Sequence, residues 1–215
     1  GLSLFWAFFA TFVVGFGAGL LIANNAGQIV TAAGGSDADI SAMVSLYAVA
    51  NGFGRLGMGK LADKIHRSRV RRTILAPLAA LATATTFAIL SIGASSLATL
   101  YVAFPCAGLC YGAFWCLSPT LLGDLFGQHI LPKAYTLMNS AALVGSLGFS
   151  NMLAAFLYER AEKTSSDGAD EDSDECAGPA CFRSTFIITA TAAIVAAATG
   201  SLMHIAASRS RAPEL

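Results

Sequence analysis

Charge is what this 215-residue chain has least of: only 12% of its residues are Asp, Glu, Lys or Arg, about half the roughly 25% usual in soluble domains. So few charges cannot coat a water-soluble core made from a chain that is 55% apolar, which argues against a cytosolic enzyme. Histidine is scarce too, with three copies, and none accompanies any of the five cysteines at metal-ligand spacing, so no metal site is expected. No Ser/His/Asp set, His-Glu metal motif or nucleotide loop is placed for chemistry. Gly15, Gly17 and Gly19 imitate a nucleotide loop, but they lie inside an apolar run with no strand before them, and close helix packing reads better. No enzymatic activity, cofactor or nucleic-acid partner is expected.

No cleavable targeting segment is expected either, because the first apolar stretch is long and ends in the polar Asn24, Asn25 and Gln28. The chain starts with Gly1 rather than Met, which reads as a fragment or an excised domain.

What the chain does have is long apolar runs. A transmembrane helix needs about 20 mostly apolar residues to cross roughly 30 Å of hydrocarbon. Six stretches qualify, at residues 2–29, 40–61, 73–93, 97–122, 133–158 and 182–207. The expected fold is an all-α membrane protein of six transmembrane helices, with the lipid bilayer as its surroundings. Six helices in this order can also divide into two inverted groups of three.

The few charges are unevenly spread. Six cations and one acid fall in residues 60–72, and Lys133, Arg209 and Arg211 bring nine cations to one side of a six-span arrangement. Positive residues mark the cytoplasmic face, so both ends of the chain are expected in the cytosol. Eight of the thirteen acids fall in residues 159–175. The stretch 159–180 is therefore expected as an acidic extracytoplasmic loop, too poor in apolar residues to fold alone and without the glycine-turn spacing of an EF-hand. Cys176 and Cys181 share this oxidising side, where a local disulfide competes with two free thiols. Cys106, Cys110 and Cys116 fall in the fourth span and read as packing residues.

One stretch resists the membrane pattern: "ANGFGRLGMGKLADKIHRSRVRR", residues 50–72. Within it, "GKLADKIHRSR" resembles the cytosolic loop motif of the major facilitator superfamily, with Gly59, Asp63, Lys64, Arg67 and Arg69 matching. His66 stands where that motif has its second glycine, and Ser68 occupies one of its basic positions. Further pieces, "NNAGQI", "NGFGRLGMGKLAD", "GLCYGAFWCLSPTLLGDLFG" and "CAGPACFRSTF", resemble the carboxy-terminal domain of nodulin-like, nuclear-fusion-defective-type proteins, a group similar to monocarboxylate transporters. The resemblance covers nearly the whole chain. It implies that these spans are helices seven to twelve of a twelve-helix carrier, whose missing partner is an amino-terminal six-helix half or a second copy. The implied function is half of a secondary active or facilitative transporter that moves a small organic solute, a monocarboxylate or other organic anion, by alternating access. The competing expectation is a non-transporting six-helix membrane scaffold or receptor.

The resemblance also assigns roles. Gly59, Asp63, Lys64, Arg67 and Arg69 become a gating motif, with Asp63 expected beside the start of the fifth span, near residues 132–134, where a helix N-terminus favours a carboxylate. Gly52, Gly54, Gly57 and Gly59 thin the second helix for close packing. Arg55 has two readings: it can snorkel or join the cytosolic charges, or it can face a central cavity and bind an anion, as in monocarboxylate-type carriers. Those carriers place an acid four residues earlier, where this chain has Asn51. Asn24, Asn25, Gln28, Tyr111, Trp115 and Asn139 complete the substrate-binding candidates. Each is costly to expose to lipid, and each is equally explicable as a helix-to-helix contact. Asn24 and Gln28 are expected on one helix face, as are Tyr111 and Trp115.

Overall fold

The computed structural model describes residues 2–67, 71–166 and 180–209, and these are helical almost throughout. In chain order the elements are α1 (Leu2–Asn24), α2 (Ala26–Ala32), α3 (Asp37–His66), a short 3-10 turn (Arg72–Ile74) that feeds α4 (Leu75–Gly93), α5 (Leu97–Phe126), α6 (Leu131–Gly145), a π-helical segment (Ser146–Leu153), α7 (Ala154–Ser166) and α8 (Ala180–Arg209).

Among the described residues five stretches are long and apolar enough to cross a membrane: Leu4–Asn24, Arg72–Gly93, Leu97–Phe126, Leu131–Arg160 and Cys181–Ala206. The chain is a multi-pass integral membrane protein. The expected second span falls in α3, which has 30 residues and therefore a length of about 45 Å. That is ample length, but its four glycines, its serines, Asn51 and Arg55 leave it short of the apolarity that the other spans reach.

Several expected boundaries are corrected. The first span is broken at Asn25 (φ −107°, ψ 15°) into α1 and α2. The fifth runs on through the π segment into α7, so the acidic loop expected from residue 159 begins no earlier than residue 167. Ala161, Glu162 and Lys163 are good helix formers, and they prolong the helix where charge alone suggested a loop. On the other side of the bundle α5 continues to Phe126, where Gly127, at φ +85°, turns the chain within four residues into α6.

The packing order is a row with a second layer behind it. α3 lies against α5, α5 against α1, and α1 against α6 and the π segment, while α4 and α8 pack on each other behind α5 and α1. Two apolar clusters fill the interior, one around Leu21, Ile22, Phe87, Phe104 and Phe186, the other around Phe8, Phe12, Phe16, Phe114 and Leu117. Hydrophobic contrast with lipid is absent, so such helices hold together by close contact. Glycine supplies it. A Cβ on Gly54 would strike the Leu109 carbonyl, and one on Gly112 the Asn51 carbonyl. Between α1 and α6, a Cβ on Gly17 would lie 2.8 Å from the Gly145 carbonyl oxygen. Gly52 and Gly57, expected to thin α3 for packing, face open space instead.

Candidate functional site

On the row of α3, α5, α1 and α6, the glycine contacts bring α3 so close to α5 that Arg55 reaches across the seam. Its guanidinium carbon lies 5.5 Å from the centroid of the Trp115 ring, a cation–π distance. Its Nε–H donates to Asn51 Oδ1 at 3.0 Å, one helical turn earlier. No acid pairs with Arg55 among the described residues, and its side chain is exposed. Behind it runs an aromatic chain: Trp115 lies against Phe16 at 4.7 Å between centroids and edge-on to Tyr111 at 6.1 Å, and Tyr111 stacks on Tyr47 at 6.2 Å. Tyr47 is fixed in turn, since its hydroxyl donates to the Gly19 carbonyl at 2.9 Å. Gly19 is glycine because the Tyr111 ring occupies the place of a Cβ. The result is a fixed positive charge on an aromatic wall, a surface suited to an organic anion.

A second polar group sits further along α1. At the break after α1, Asn24 Nδ2 donates to Ser150 Oγ at 3.0 Å and lies 3.5 Å from Ser146 Oγ. Asn25 Nδ2 donates to Ser150 Oγ and to the Ser150 carbonyl, both at 3.2 Å, and to the Leu21 carbonyl at 3.0 Å. The kink in one helix therefore faces the π segment in the other. π-helical turns often mark functional positions. Ser146 and Ser150 look, in the sequence, like ordinary small residues of an apolar run.

The two ends of α3 are tied to neighbouring elements. At its start Ser36 and Asp39 form a capping box, and the Tyr101 hydroxyl donates to Asp39 Oδ1 at 2.7 Å. Hydrogen bonds from the Ser36 hydroxyl and backbone N–H, with a further one from Tyr101, hold the Asp39 carboxyl below the usual carboxylate range. At the other end Arg72 is the hub. Its Nε–H donates to the Ala62 carbonyl at 3.1 Å, one terminal nitrogen lies 3.4 Å from both Asp124 oxygens, and the other is 3.7 Å from Asp63.

Asp63 is thus paired with the start of α4 and not with the start of α6 as expected. The reason is proximity: the loop after α3 returns Arg72 to the end of the same helix, whereas α6 packs on α1 and α5. Asp124 was missed, although an acid in the last turn of α5 opposes the helix dipole and so calls for a cation nearby. Of the residues expected to form a gating motif, Gly59 and Lys64 lie on the half-exposed and exposed end of α3, Arg67 follows as its exposed C-cap, and Arg69 lies outside the described residues. Gly59 has only ordinary contact room beside Cys116.

The remaining candidates divide. Arg55, Asn51, Trp115 and Tyr111 come together, and so do Asn24 and Asn25. Gln28 is exposed on α2, beyond the break, so it does not share one continuous helix face with Asn24. Asn139 is exposed on α6, with no hydrogen bond among the described residues. Cys181 is disulfide-bonded, while Cys106, Cys110 and Cys116 are free thiols. Cys176 lies outside the described residues. No metal-holding cluster occurs among the described residues.

Comparison with known proteins decides the family. The family model of the Major Facilitator Superfamily matches residues 7–214. The chain belongs to that superfamily. It is therefore related to transport proteins rather than to enzymes. It is 30% identical over 200 residues to the probable transporter MCH1 of Yarrowia lipolytica (strain CLIB 122 / E 150), a match covering 90% of this chain and 40% of that protein. The chain thus spans well under two thirds of the length of the curated relative it matches. No solved structure matches it.

Proposed function

We propose that this chain is one half of a superfamily carrier, helices seven to twelve, that moves a small organic anion by alternating access. Arg55 carries the reading: an exposed cation at a helix seam, stacked on Trp115, held by the neutral Asn51 and paired with no acid among the described residues. A charge placed so within membrane-spanning helices belongs with a water-filled route or a ligand rather than with lipid. It is also absent from the ion-pair network around Arg72, which weakens the alternative in which it merely joins the charges at the end of α3.

α3 supplies the sixth span in this reading. Its modest apolarity suits a helix that lines an aqueous path on one side. Two inverted groups of three are supported by the packing. Exchanging α1 with α5, α3 with α6 and α7, and α4 with α8 turns the α3–α5 contact into the α6–α1 contact and leaves the α4–α8 contact as it is. The nine-cation bias puts both ends of the chain in the cytosol, with the acidic residues 167–175 outside and Cys176 bridged to Cys181. The motif from Gly59 through Asp63, Lys64 and Arg67 to Arg69 then acts as a cytosolic gate, and the amino-terminal half of the same protein completes the cavity. Asn24, Asn25, Gln28, Tyr111 and Asn139 are secondary candidates for the substrate path.

The test is uptake of labelled lactate by the full-length protein in liposomes, with Arg55→Gln beside the unaltered protein. A lost charge-assisted contact is worth about 1.5 to 3 kcal/mol, so affinity is expected to fall roughly ten- to a hundredfold. Unchanged affinity and uptake in Arg55→Gln would remove the anion-binding role.

A further inference from the structure

The polar group at the α1 break is more than a helix tie. Asn24 and Asn25 both reach Ser150, but they are not equivalent. Asn25 is half-buried, and its amide is committed to three acceptors, Leu21 O, Ser150 O and Ser150 Oγ. Asn24 is exposed. Its N–H side is turned to Ser150 and Ser146, and its Oδ1 accepts no hydrogen bond among the described residues. A carbonyl oxygen fixed from behind and open in front is an acceptor waiting for a donor, and its position is held by the buried Ser150.

Its distance from Arg55 defines a ligand. Arg55 sits over Trp115, whose ring meets Phe16 on α1. Asn24 lies eight residues beyond Phe16, or about 12 Å along the helix. Between the two levels α1 presents Gly19, walled by Tyr111, so the intervening surface is largely aromatic and apolar. The order along the face is cation, aromatic wall, amide oxygen.

We propose that Asn24 is the second binding point of the substrate site, and that the site selects elongated organic anions that carry a hydroxyl or N–H donor at the end remote from the carboxylate. This rests on the anion-binding reading of Arg55 and adds a requirement to it. The carboxylate meets Arg55, the hydrocarbon middle lies along the half-exposed Trp115 and Tyr111, and the distal donor bonds Asn24 Oδ1. Because Asn24 also holds Ser150 in the π segment, a ligand bond to it bears on the joint between α1 and α6.

The experiment compares binding of octanoate and ω-hydroxyoctanoate to the full-length protein in liposomes. The hydroxyl is expected to strengthen binding about three- to tenfold, the worth of one hydrogen bond. Asn24→Leu should abolish that preference, bringing the ratio of the two affinities to about one. Arg55→Gln should weaken both ligands alike. Equal binding of the two ligands to the unaltered protein, no binding of either, or a preference that survives Asn24→Leu would each overturn the proposal. The first comparison needs no variant to fold. A hydroxyl preference lost in Asn24→Leu but with both ligands indifferent to Arg55→Gln would uphold the distal point and remove the anion role of Arg55, so the two ideas fail separately.

Discussion

Where α3 crosses α5 and where α1 crosses α6, backbone meets backbone at glycine: a Cβ on Gly112 would run into the Asn51 carbonyl, and one on Gly145 into that of Val13. Beside those contacts the two seams differ. The α3–α5 seam displays a cation on an aromatic ring, with Arg55 over Trp115. The α1–α6 seam leads to neutral amides and hydroxyls at a kink and a π segment. Glycine fixes the separation in both, and the side chains one turn away are then free to carry different chemistry.

The comparison is broken most forcefully at the glycines. Gly112→Leu and Gly145→Leu should each destabilise by about 3 kcal/mol or more, since the obstructing atoms are backbone and cannot swing aside. Gly52→Ala, on the open side of α3, should instead be neutral or stabilise by about 0.5 to 1 kcal/mol through helix propensity. Thermal unfolding of the purified full-length protein measures all three. Similar losses in all of them would mean that the seams are not the sites of close contact.

A smaller effect sharpens the contrast between Asp124 and Asp63, which share Arg72. The Arg72 side chain is 16% exposed, Asp124 is 36% and Asp63 is 77%. Arg72→Gln should cost about 1 to 2 kcal/mol, discounted for the solvent around its partners. Asp63→Asn alone should cost less than about 1 kcal/mol. A larger loss for Asp63→Asn than for Asp124→Asn, in the same unfolding assay, would contradict the geometry.

The smallest effect is at the start of α3. The Asp39 carboxyl is held below its ordinary value of 3.8, so its ionised form contributes stability above that value. The contribution fades as the pH falls through the lowered one. Tyr101→Phe removes one of the bonds responsible, so the acid-side loss should be smaller and complete at a higher pH. Unfolding temperatures followed below pH 5 would show it, and superimposable curves would count against a role for the Tyr101 bond.

Much of this was readable from the sequence where length and apolarity speak together, as in α4, α5 and α8. Pro105 and Pro119 lie inside α5 without ending it, because neighbouring helices outweigh a local breaker. α3 is legible as the apolar run at residues 40–61, although Gly52, Asn51 and Arg55 dilute its apolarity. The break at Asn25 and the π segment at Ser146–Leu153 were not readable, for neither contains proline and each depends on the other through Ser150. The partner of Asp63 was misplaced for a similar reason. Charge pattern shows that a carboxylate needs a cation, but only the return of the loop after α3 decides that Arg72 supplies it. The meeting of Arg55 with Trp115 likewise comes from the packing of α3 on α5, which periodicity within single helices does not contain.

The central claim is that this row of four helices faces water and solute while α4 and α8 face lipid. Single cysteines in an otherwise cysteine-free full-length protein test it with a charged, membrane-impermeant thiol reagent applied to both sides of the membrane. Arg55→Cys and Asn139→Cys should react, whereas Leu81→Cys and Ile194→Cys, exposed side chains on α4 and α8, should stay unlabelled until detergent is added. Rapid labelling at 81 and 194 with none at 55 would contradict the account.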